Sequence, residues 1–339
     1  MDRVRIGTLG AARVTPAALI RPARKAGEAE VVAVAARDRE RAQRFAEKHA
    51  IPRVHDSYEA LIEDPEIDAI YNPLPNGLHA LWTERALAAG KHVLCEKPFT
   101  ANAKEAEEVA AVADGSGLVV IEAFHYRYHP VAVRMRELAQ SGELGRVLRV
   151  ESNMCIPMPL PRDIRYRYDL AGGAVMDTGC YAVHMNRTVV GAEPEVVHAS
   201  TRLARPNIDR WTRAELRYPD GNTGLVTCAL WSSTLLKVSV RVVCEHGTLS
   251  VFNPTGPQFG YRMTVRNADG KRRIRVEGAK KPTYEYQLEA FTAAVLRGTP
   301  VLTPPSDSIA NMRVIDAIYT AAGLPTRGTE LGGAPEVDR

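Results

Sequence analysis

Short apolar runs alternate with longer amphipathic segments along the first 125 residues. Such a rhythm is typical of strands followed by helices in an α/β fold. Apolar strands are predicted at Val4 to Leu9, Val31 to Ala36, Ala69 to Tyr71, His92 to Cys95 and Leu118 to Ala123, with helices starting near Pro16 and at Leu78 to Ala89 and Ala103 to Ala113. We count the run from Leu118 as the sixth strand. The pattern therefore predicts a complete Rossmann domain, with a doubly wound parallel sheet.

After about residue 124, strand-like alternation replaces this rhythm. Polar residues at 213, 215 and 217 alternate with less polar ones at 212, 214, 216 and 218, as in a strand with one wet and one buried face. Further strands are predicted at Arg146 to Ser152, Gly224 to Ser232, Val238 to Cys244, Thr248 to Phe252 and Arg262 to Asn267, and a helix at Ser306 to Ala322. This half is therefore predicted to be an α+β domain with a large, mostly antiparallel sheet.

Composition narrows the functional class. The 339 residues are 45% hydrophobic and 25% charged, which is usual for a globular protein of two domains. The net charge is only +4, and the arginines are scattered, so nucleic-acid binding is not indicated. No apolar leader or membrane-spanning run occurs, and we expect a cytoplasmic protein. Five widely spaced cysteines without a C-x-x-C pair predict no zinc site.

The first strand leads into the segment Gly10-Ala11-Ala12-Arg13-Val14-Thr15. Its pattern, G-x-A-x-x-T, departs from the G-x-G-x-x-G fingerprint of dinucleotide-binding folds at two glycines, each replaced by a small residue. Taken alone, the segment fits an ordinary strand, turn and helix equally well.

The second strand ends at Ala36, followed by Arg37 and Asp38. In a doubly wound fold this position contacts the adenosine ribose. A carboxylate here would bind both ribose hydroxyls of NAD, whereas a guanidinium would bind the 2′-phosphate of NADP. Arg37 favours NADP(H), and Asp38 leaves NAD(H) possible.

Glu96-Lys97-Pro98 follows the strand at His92 to Cys95, which places an amine at the end of a strand of the nucleotide-binding sheet. A dehydrogenase must move the hydroxyl proton of its substrate as well as the hydride. Lys97 is our first candidate for that proton, since burial beside a positive nicotinamide ring would lower its pKa.

A second group of polar residues follows Gly172-Gly173 at the start of a predicted helix. Asp177, Tyr181 and His184 are spaced i, i+4 and i+7, which on an α-helix places them on one side. The glycine pair would allow a ligand to approach the backbone closely. Ordinary partly buried helix residues would show the same spacing. The preceding segment from Met158 to Tyr168 is rich in arginine and tyrosine and is a candidate substrate lid, or else a solvated loop.

These motifs together resemble the Gfo/Idh/MocA oxidoreductases, named for glucose-fructose oxidoreductase and inositol dehydrogenase, and most of all their dihydrodiol and sugar dehydrogenase branch. The elements that carry the resemblance are Gly10-Ala11-Ala12, Ala35-Ala36-Arg37-Asp38, Pro73-Leu74-Pro75-Asn76 with His79, Glu96-Lys97-Pro98, Glu122-Ala123-Phe124 with Arg127, and Gly172-Gly173-Ala174 with Asp177 to Tyr181. They occur in family order between about Val4 and Gly323. Many relatives carry histidine where this chain has Tyr181, and aspartate where it has His184.

The resemblance implies a role for each motif residue. Lys97, Tyr181 and Asp177 are the implied catalytic residues, and the direct donor and relay roles stay open between Lys97 and Tyr181. Implied cofactor contacts are Gly10, Ala11, Ala12, Arg13, Val14, Arg37, Asp38, Pro73, Leu74, Asn76, His79, Glu96, Lys97 and Arg127, and implied substrate contacts are Lys97, Arg165, Asp177, Tyr181 and His184. No metal ligand is implied.

The resemblance also implies a domain plan and an activity. We expect an NAD(P)-binding Rossmann domain at 1–123, a substrate-binding and dimerisation domain at 124–304, a returning helix at 305–324, and a tail at 325–339 that is loose beyond Arg327. The expected activity is hydride transfer between nicotinamide and a secondary alcohol or carbonyl of a sugar, cyclitol or trans-dihydrodiol. The alternatives are a glucose-fructose-type enzyme with a retained cofactor and a non-catalytic sensor. The expected assembly is a homodimer or homotetramer through the second sheet.

Overall fold

The computed structural model of the protein describes residues 2–160 and 162–328. Its strands are β1 Val4–Leu9, β2 Ala29–Ala35, β3 Arg53–His55, β4 Ala69–Asn72, β5 His92–Cys95, β6 Val120–Glu122, β7 Val147–Cys155, β8 Glu195–Arg205, β9 Ile208–Arg217, β10 Thr223–Ala229, β11 Lys237–Cys244, β12 Gly247–Phe252, β13 Arg262–Asn267 and β14 Gly270–Ile274. Its α-helices are α1 Arg21–Lys25, α2 Arg39–His49, α3 Tyr58–Glu63, α4 His79–Ala88, α5 Ala103–Ser116, α6 Pro130–Gln140, α7 Cys180–Val190, α8 Thr283–Arg297 and α9 Pro305–Ala321.

The first six strands form one parallel sheet in the order β3-β2-β1-β4-β5-β6, which confirms the predicted Rossmann topology. The strand order reverses between β1 and β4, and ligands of such sheets bind in the crevice outside the strand ends at that point. The hydrophobic pattern did not delimit β3. This strand has only three residues, all half-buried, so no apolar run marks it.

The remaining strands form a second sheet in the order β14-β13-β12-β11-β7-β10-β9-β8. Only the β7–β10 pair is parallel, which confirms a mostly antiparallel sheet. The two strands missing from our prediction, β8 and β14, are its edges. Edge strands are largely exposed and rich in charge, so they lack a buried alternating face to detect.

Helix α7 covers the inner face of the second sheet, packing on β7 and β10, and nine of its eleven residues are buried. Helix α9 lies against both α7 and α5. At the second contact Asp316 accepts a 2.8 Å hydrogen bond from the backbone N–H of Ala103. One continuous apolar cluster contains residues of both sheets, among them Ile70 and Val226. The two sheets are therefore joined by packing, and this fixes the site that lies between them.

The next observations concern membrane-spanning helices, metal-ligating groups and cysteines. No helix in the part of the chain that the structure describes is long and apolar enough to cross a membrane. Within the same residues, no group of three or more metal-ligating side chains is placed to hold a metal ion. All five cysteines are buried and free.

Candidate active site

The turn after β1 has the features of a phosphate-binding loop. Gly10 has a φ of +77°, and a Cβ there would lie 3.2 Å from Leu74. Among the described residues, the backbone N–H groups of residues 11–14 donate to no acceptor. The hydroxyl of Thr15 is fully buried and likewise lacks a partner there. Unpaired donors before a helix attract anions, so this loop fits the pyrophosphate of a dinucleotide although two fingerprint glycines are replaced.

The two candidate ribose contacts after β2, Arg37 and Asp38, have different environments. Asp38 is the N-cap of α2, and its Oδ1 accepts a 3.0 Å bond from the backbone N–H of Arg41. Arg37 is exposed. Arg41, which the sequence analysis did not single out, donates from its guanidinium to the carbonyl of Ala11 at 2.8 Å. Arg37 is therefore exposed and Arg41 is anchored beside the phosphate loop, whereas the Asp38 carboxylate is engaged in helix capping.

The loop after β4 connects the two halves of the site. His79 places its ring nitrogens 2.7 Å from the carbonyl of Leu74 and 2.8 Å from that of Pro98. Asn76 donates a 3.0 Å hydrogen bond to the carbonyl of Ala171, just before the glycine pair. Pro73 and Leu74 are buried. His79 thus ties this loop to the Glu-Lys-Pro segment, and Asn76 ties it to the second half of the chain.

Lys97 forms the centre of the site. Its Nζ donates to the backbone carbonyl of Asp177 at 2.8 Å and to the Oδ1 of Asp177 at 3.0 Å. The other carboxylate oxygen of Asp177 lies 2.9 Å from Nε of Arg165. The side chains of Lys97 and Asp177 are only 15% and 14% exposed. One carboxylate therefore holds two cations in a mostly buried position at the strand ends.

This arrangement changes our expectation for the pKa of Lys97. Burial alone lowers it, but the attraction of Asp177, Cys180 and Glu96 outweighs burial, and the pKa is raised. The lowering that we predict refers to a bound nicotinamide ring and stays a prediction, whereas in the protein on its own the Asp177 carboxylate opposes it. The pKa of Asp177 is lowered, since Lys97 and Arg165 outweigh the opposite effect of its burial. The pair is an ammonium beside a carboxylate.

Tyr181 lies next to this pair. The Lys97 Nζ is 5.2 Å from the centre of the tyrosine ring, and the ring packs edge-on against Phe124 at 5.2 Å. Burial raises the pKa of Tyr181 well above its ordinary value, so the phenol stays protonated. Its hydroxyl forms no hydrogen bond with other residues in the described part of the chain. It is therefore available to a ligand.

Two further groups face the same space. The carboxyl of Glu96 accepts a 2.8 Å bond from the hydroxyl of Tyr71, and burial raises the pKa of Glu96. His125 packs between Tyr181 and Tyr284, with ring centroids 5.8 and 4.2 Å away. Burial lowers the pKa of His125 to about 3, so its ring is neutral, and its buried Nδ1 has no partner among the described residues.

The predicted alignment of Asp177, Tyr181 and His184 on one side of a helix stays a prediction, but the element that carries these residues is not one continuous α-helix. Residues Val175–Gly179 form a π-helical turn, and the α-helix begins only at Cys180, so the spacing of an ideal α-helix does not apply across the junction. His184 is 1% exposed, and its ring nitrogens lie 2.5 Å from the Tyr126 hydroxyl and 2.8 Å from Asp307. Both nitrogens are taken within the protein, and a substrate role for His184 remains only a prediction.

The glycine pair makes close contacts, but with protein groups. A Cβ on Gly172 would lie 2.6 Å from two backbone carbonyls, and one on Gly173 would lie 2.3 Å from Asp209. The pair therefore allows the chain to fold upon itself, and the expected close approach of a ligand stays a prediction. The lid segment before it is partly tied down, since Tyr166 bonds to the carbonyl of Met158. Its Pro161 lies outside the described residues.

Arg127 is 7% exposed, and its side chain forms no hydrogen bond or ion pair with the residues that the structure describes. Its predicted cofactor role stays a prediction. Other functional candidates were missed because their partners are distant in sequence, as for Asp209 and Arg327, which form a fully buried ion pair. Arg41 had a local signal, since it is the third residue after a helix-capping aspartate.

Comparison with known proteins agrees with this geometry. Residues 4–124 match a family model described as an oxidoreductase family with an NAD-binding Rossmann fold, and residues 132–250 match a GFO/IDH/MocA C-terminal domain. These limits lie near the boundary that we predict between residues 123 and 124.

Individual relatives cover two thirds of the chain or more. A D-xylose 1-dehydrogenase (NADP(+)) of Haloferax volcanii is 40% identical over 98% of this chain and 99% of its own. A trans-1,2-dihydrobenzene-1,2-diol dehydrogenase of Sus scrofa is 37% identical over 67% of each chain. The structure of KijD10, a 3-ketoreductase from Actinomadura kijaniata in complex with NADP and TDP-benzene, superimposes with a TM-score of 0.85 at 29% identity, covering 94% of this chain and 98% of its own. The chain therefore belongs to the Gfo/Idh/MocA family of NAD(P)-dependent oxidoreductases.

Proposed function

We propose that this protein is an NADP-preferring oxidoreductase acting on a secondary alcohol or carbonyl of a sugar, cyclitol or trans-dihydrodiol. The observation that carries the proposal is the ammonium of Lys97, held by Asp177 beside Tyr181 at the ends of the parallel strands. When bound there, the nicotinamide supplies or accepts the hydride at the carbon that bears oxygen. The protein has to handle only the proton.

Lys97 and Tyr181 are the two groups suited to that proton. Both are protonated near neutral pH, since the pKa of each is raised. In carbonyl reduction, Nζ of Lys97 donates a proton to the substrate oxygen as the carbon–oxygen double bond becomes a single bond. In alcohol oxidation, the neutral amine takes the hydroxyl proton while hydride leaves the carbon. Tyr181 then orients the same oxygen, and the reverse assignment of the two roles is tested below.

The surroundings of the pair favour a substrate with several hydroxyl groups. Asp177 and Arg165 supply an acceptor and a donor next to Lys97, while Tyr181, His125 and Tyr284 supply ring surfaces. Sugars and cyclitols combine hydroxyl groups with apolar ring faces, and dihydrodiols do the same. The names of the relatives above, which act on D-xylose or on trans-dihydrodiols, support this class.

The preference for NADP rests on the end of β2. Asp38 is engaged in capping α2, and Arg37 is exposed where a 2′-phosphate would lie. Arg41, anchored on Ala11, adds a second positive charge. Two of the relatives carry NADP in their names or complexes. NAD(H) remains a usable second cofactor, since the fold and phosphate loop are common to both.

The test is a measurement of absorbance at 340 nm with NADP(H) and NAD(H) in parallel, against aldoses, inositols, dihydrodiols and dicarbonyls in both directions. We expect Lys97→Met to abolish turnover while NADPH affinity stays largely unchanged. Lys91 offers a matched control. It directly precedes β5 and is also buried, but its Nζ donates to the backbone carbonyls of Asp64 and Ile67. Lys91→Met should keep its turnover. Full activity of Lys97→Met would contradict the proposal.

The same experiment separates the other two interpretations. A glucose-fructose-type enzyme would be purified with its nicotinamide absorbance retained after dialysis. A sensor would bind NADPH without turning over any member of the panel. For the assembly, we propose a homodimer or homotetramer through the outer face of the second sheet, which light scattering on the purified protein would measure.

A further inference from the structure

The second buried ion pair of the site region has no role in the function proposed so far. Arg327 and Asp209 are both 0% exposed, and their side chains lie 3.2 Å apart. Burial of two charges costs more free energy than their attraction returns unless further hydrogen bonds complete the site. A pair of apolar residues would fill the same space without this cost. The charged pair therefore indicates that its hydrogen bonds hold other parts of the chain in place.

Arg327 holds the glycine turn. Its Nε donates a 2.7 Å hydrogen bond to the carbonyl of Gly172, and its guanidinium lies 4.0 Å from the centre of the Tyr319 ring. On the other side, the backbone carbonyl of Arg327 accepts a 2.9 Å bond from Asn102. Asn102 lies five residues after Lys97 and caps α5. One residue near the C-terminus is thus bonded to both segments that form the proton-handling pair.

Asp209 holds the start of the π-helical turn. Its Oδ2 accepts a 2.8 Å bond from the backbone N–H of Val175 and a 3.0 Å bond from the hydroxyl of Thr212. Its Oδ1 accepts from Tyr319 at 3.1 Å and from Arg327. Its four bonds satisfy the buried carboxylate and fix the backbone two residues before Asp177.

The turn has no room to move against this cluster. Gly173 has a φ of +134°, and a Cβ there would lie 2.3 Å from Asp209 and 2.9 Å from Arg327. The carbonyl of Gly173 accepts a 3.0 Å bond from the backbone N–H of Asp177. Arg327 is therefore connected, through its hydrogen bond to Gly172 and the bond from the Asp177 backbone N–H to Gly173, to the backbone of the residue whose carboxylate contacts Lys97.

We propose that Arg327, acting with Asp209, is a positioning residue that sets the contact between Asp177 and Lys97. The inference rests on the proposed function, because it assigns a purpose to the same proton-handling pair. Neither residue touches the reacting atoms. Their effect is on the distance between the Asp177 carboxylate and Nζ, and that distance governs how firmly Lys97 holds its proton.

The groups that act on the Lys97 ammonium determine the direction of the effect. Asp177, Cys180 and Glu96 raise its pKa, while burial and Arg165 lower it. Loosening of the glycine turn weakens the contribution of Asp177, the first of the raising groups. The pKa of Lys97 then falls, and the rising limb of kcat/KM against pH in alcohol oxidation moves to lower pH.

The test compares Arg327→Met and Arg327→Lys with the wild type. We expect Arg327→Met to lower kcat by about tenfold or more, since small misplacements of reacting groups are costly. We expect its rising limb to move down by about half a pH unit or more. NADPH affinity, followed by fluorescence titration, should stay within about twofold because the phosphate loop is untouched. Arg327→Lys should recover part of both losses.

Two variants separate positioning from simple stability. Arg5, the second residue of the central strand β1, pairs with Asp68 at 2.8 Å near the amino ends of the strands, whereas Lys97 follows the carboxyl end of β5. Arg5→Met should lower the melting temperature without moving the pH limb. Adding Asp209→Asn to Arg327→Met removes the uncompensated carboxylate. The double variant should regain stability, but its rising limb of kcat/KM against pH should stay displaced. If the rising limb of the double variant returns to the wild-type pH together with stability, the role of Arg327 is structural and the proposal fails.

The remaining outcomes are also decisive. If Arg327→Met does not fold, Tyr319→Phe, which removes only one hydrogen bond to Asp209, should give a smaller shift in the same direction. A folded Arg327→Met or Tyr319→Phe with the wild-type limb and kcat overturns the proposal. Full activity of Lys97→Met would instead refute the proposed function, and this inference with it. An inactive Lys97→Met beside an unaffected Arg327→Met refutes the inference alone.

Discussion

Asp177→Asn is the most direct perturbation of the proposed proton-handling pair. The amide keeps the size of the side chain but removes the charge that lies 3.0 Å from Nζ of Lys97. The backbone carbonyl of residue 177, at 2.8 Å from Nζ, remains in place as an acceptor. Arg165, whose Nε lies 2.9 Å from the same carboxylate, loses one of its two carboxylate partners and keeps only Asp163, so its positive charge near the lysine is less balanced. Both changes disfavour the ammonium.

The size of the effect follows from the distance and the exposure. At an effective dielectric constant of about 20, two charges 3.0 Å apart attract by about 5 kcal/mol. A pKa shift of one unit corresponds to about 1.4 kcal/mol. Solvent screens part of this attraction, because the two side chains are 15% and 14% exposed. Neighbouring charges shift pKa values by about 1–3 units, and we expect the pKa of Lys97 to fall by that amount.

The assay is the pH dependence of kcat/KM for alcohol oxidation with NADP. Because the neutral amine is the base, the rate rises as the pH passes the pKa of Lys97, and a lower pKa moves the rising limb to lower pH. Asp163→Asn is a matched control, since Asp163 pairs with Arg165 at 3.0 Å but makes no contact with Lys97. The rising limb of kcat/KM against pH for Asp163→Asn should stay near that of the wild type.

A third variant distinguishes Lys97 from Tyr181 as the titrating group. Burial is the largest cause of the raised pKa of Tyr181, and Asp177 raises it further. Asp177→Asn alone would therefore lower the pKa of Lys97 and the pKa of Tyr181 in the same direction. Tyr181→Phe should keep a rising limb if Lys97 is the base and lose it if the phenol is. An Asp177→Asn enzyme with normal NADPH affinity and an unmoved limb would refute the electrostatic reasoning altogether.

Two further predictions concern the cofactor and stability. Arg37→Ala should lower kcat/KM with NADPH by about tenfold or more while leaving kcat/KM with NADH nearly unchanged. Arg44→Ala, on the exposed face of the following helix α2, should affect neither value, and equal losses with both cofactors would contradict the assignment. Burial raises the pKa of Glu122 to about 8, so between its ordinary value of 4.5 and about 8 the folded state binds more protons than the unfolded one, and stability falls as pH rises. Glu122→Gln should remove that fall and be relatively more stable at pH 8 than at pH 5, by about 1–3 kcal/mol in urea unfolding. Parallel pH dependences of the two proteins would show that Glu122 does not titrate in this range.

The sequence predicted those parts of the fold that have a buried periodic face. The parallel sheet and the central strands of the second sheet carry apolar runs or alternation, and both were predicted. The strands that were missed, β3, β8 and β14, are short or lie at edges, where side chains meet solvent and the pattern disappears. Boundaries moved by a few residues, as for α9, which was expected from Ser306 and begins at Pro305.

The candidate site was predictable where it consists of local motifs. The residue types at positions 97, 177 and 181 were selected from the sequence, and the structure brings them together. Their electrostatics were not predictable, because the pKa of Lys97 depends on a carboxylate eighty positions away in the chain. The π-helical turn was not predictable either. It arises where Val175 is held by Asp209, a contact that no spacing rule anticipates.

The proton-handling pair is divided between the two halves of the molecule, and this division has a functional consequence. Lys97 follows a strand of the first sheet, whereas Asp177 precedes the helix that covers the second. Since their attraction falls as they separate, any displacement of one half relative to the other changes the pKa of Lys97. A substrate bound between the halves therefore alters the proton affinity of the lysine. The pKa that governs kcat should then differ from the pKa that governs kcat/KM, because the first reports the bound complex and the second the free enzyme.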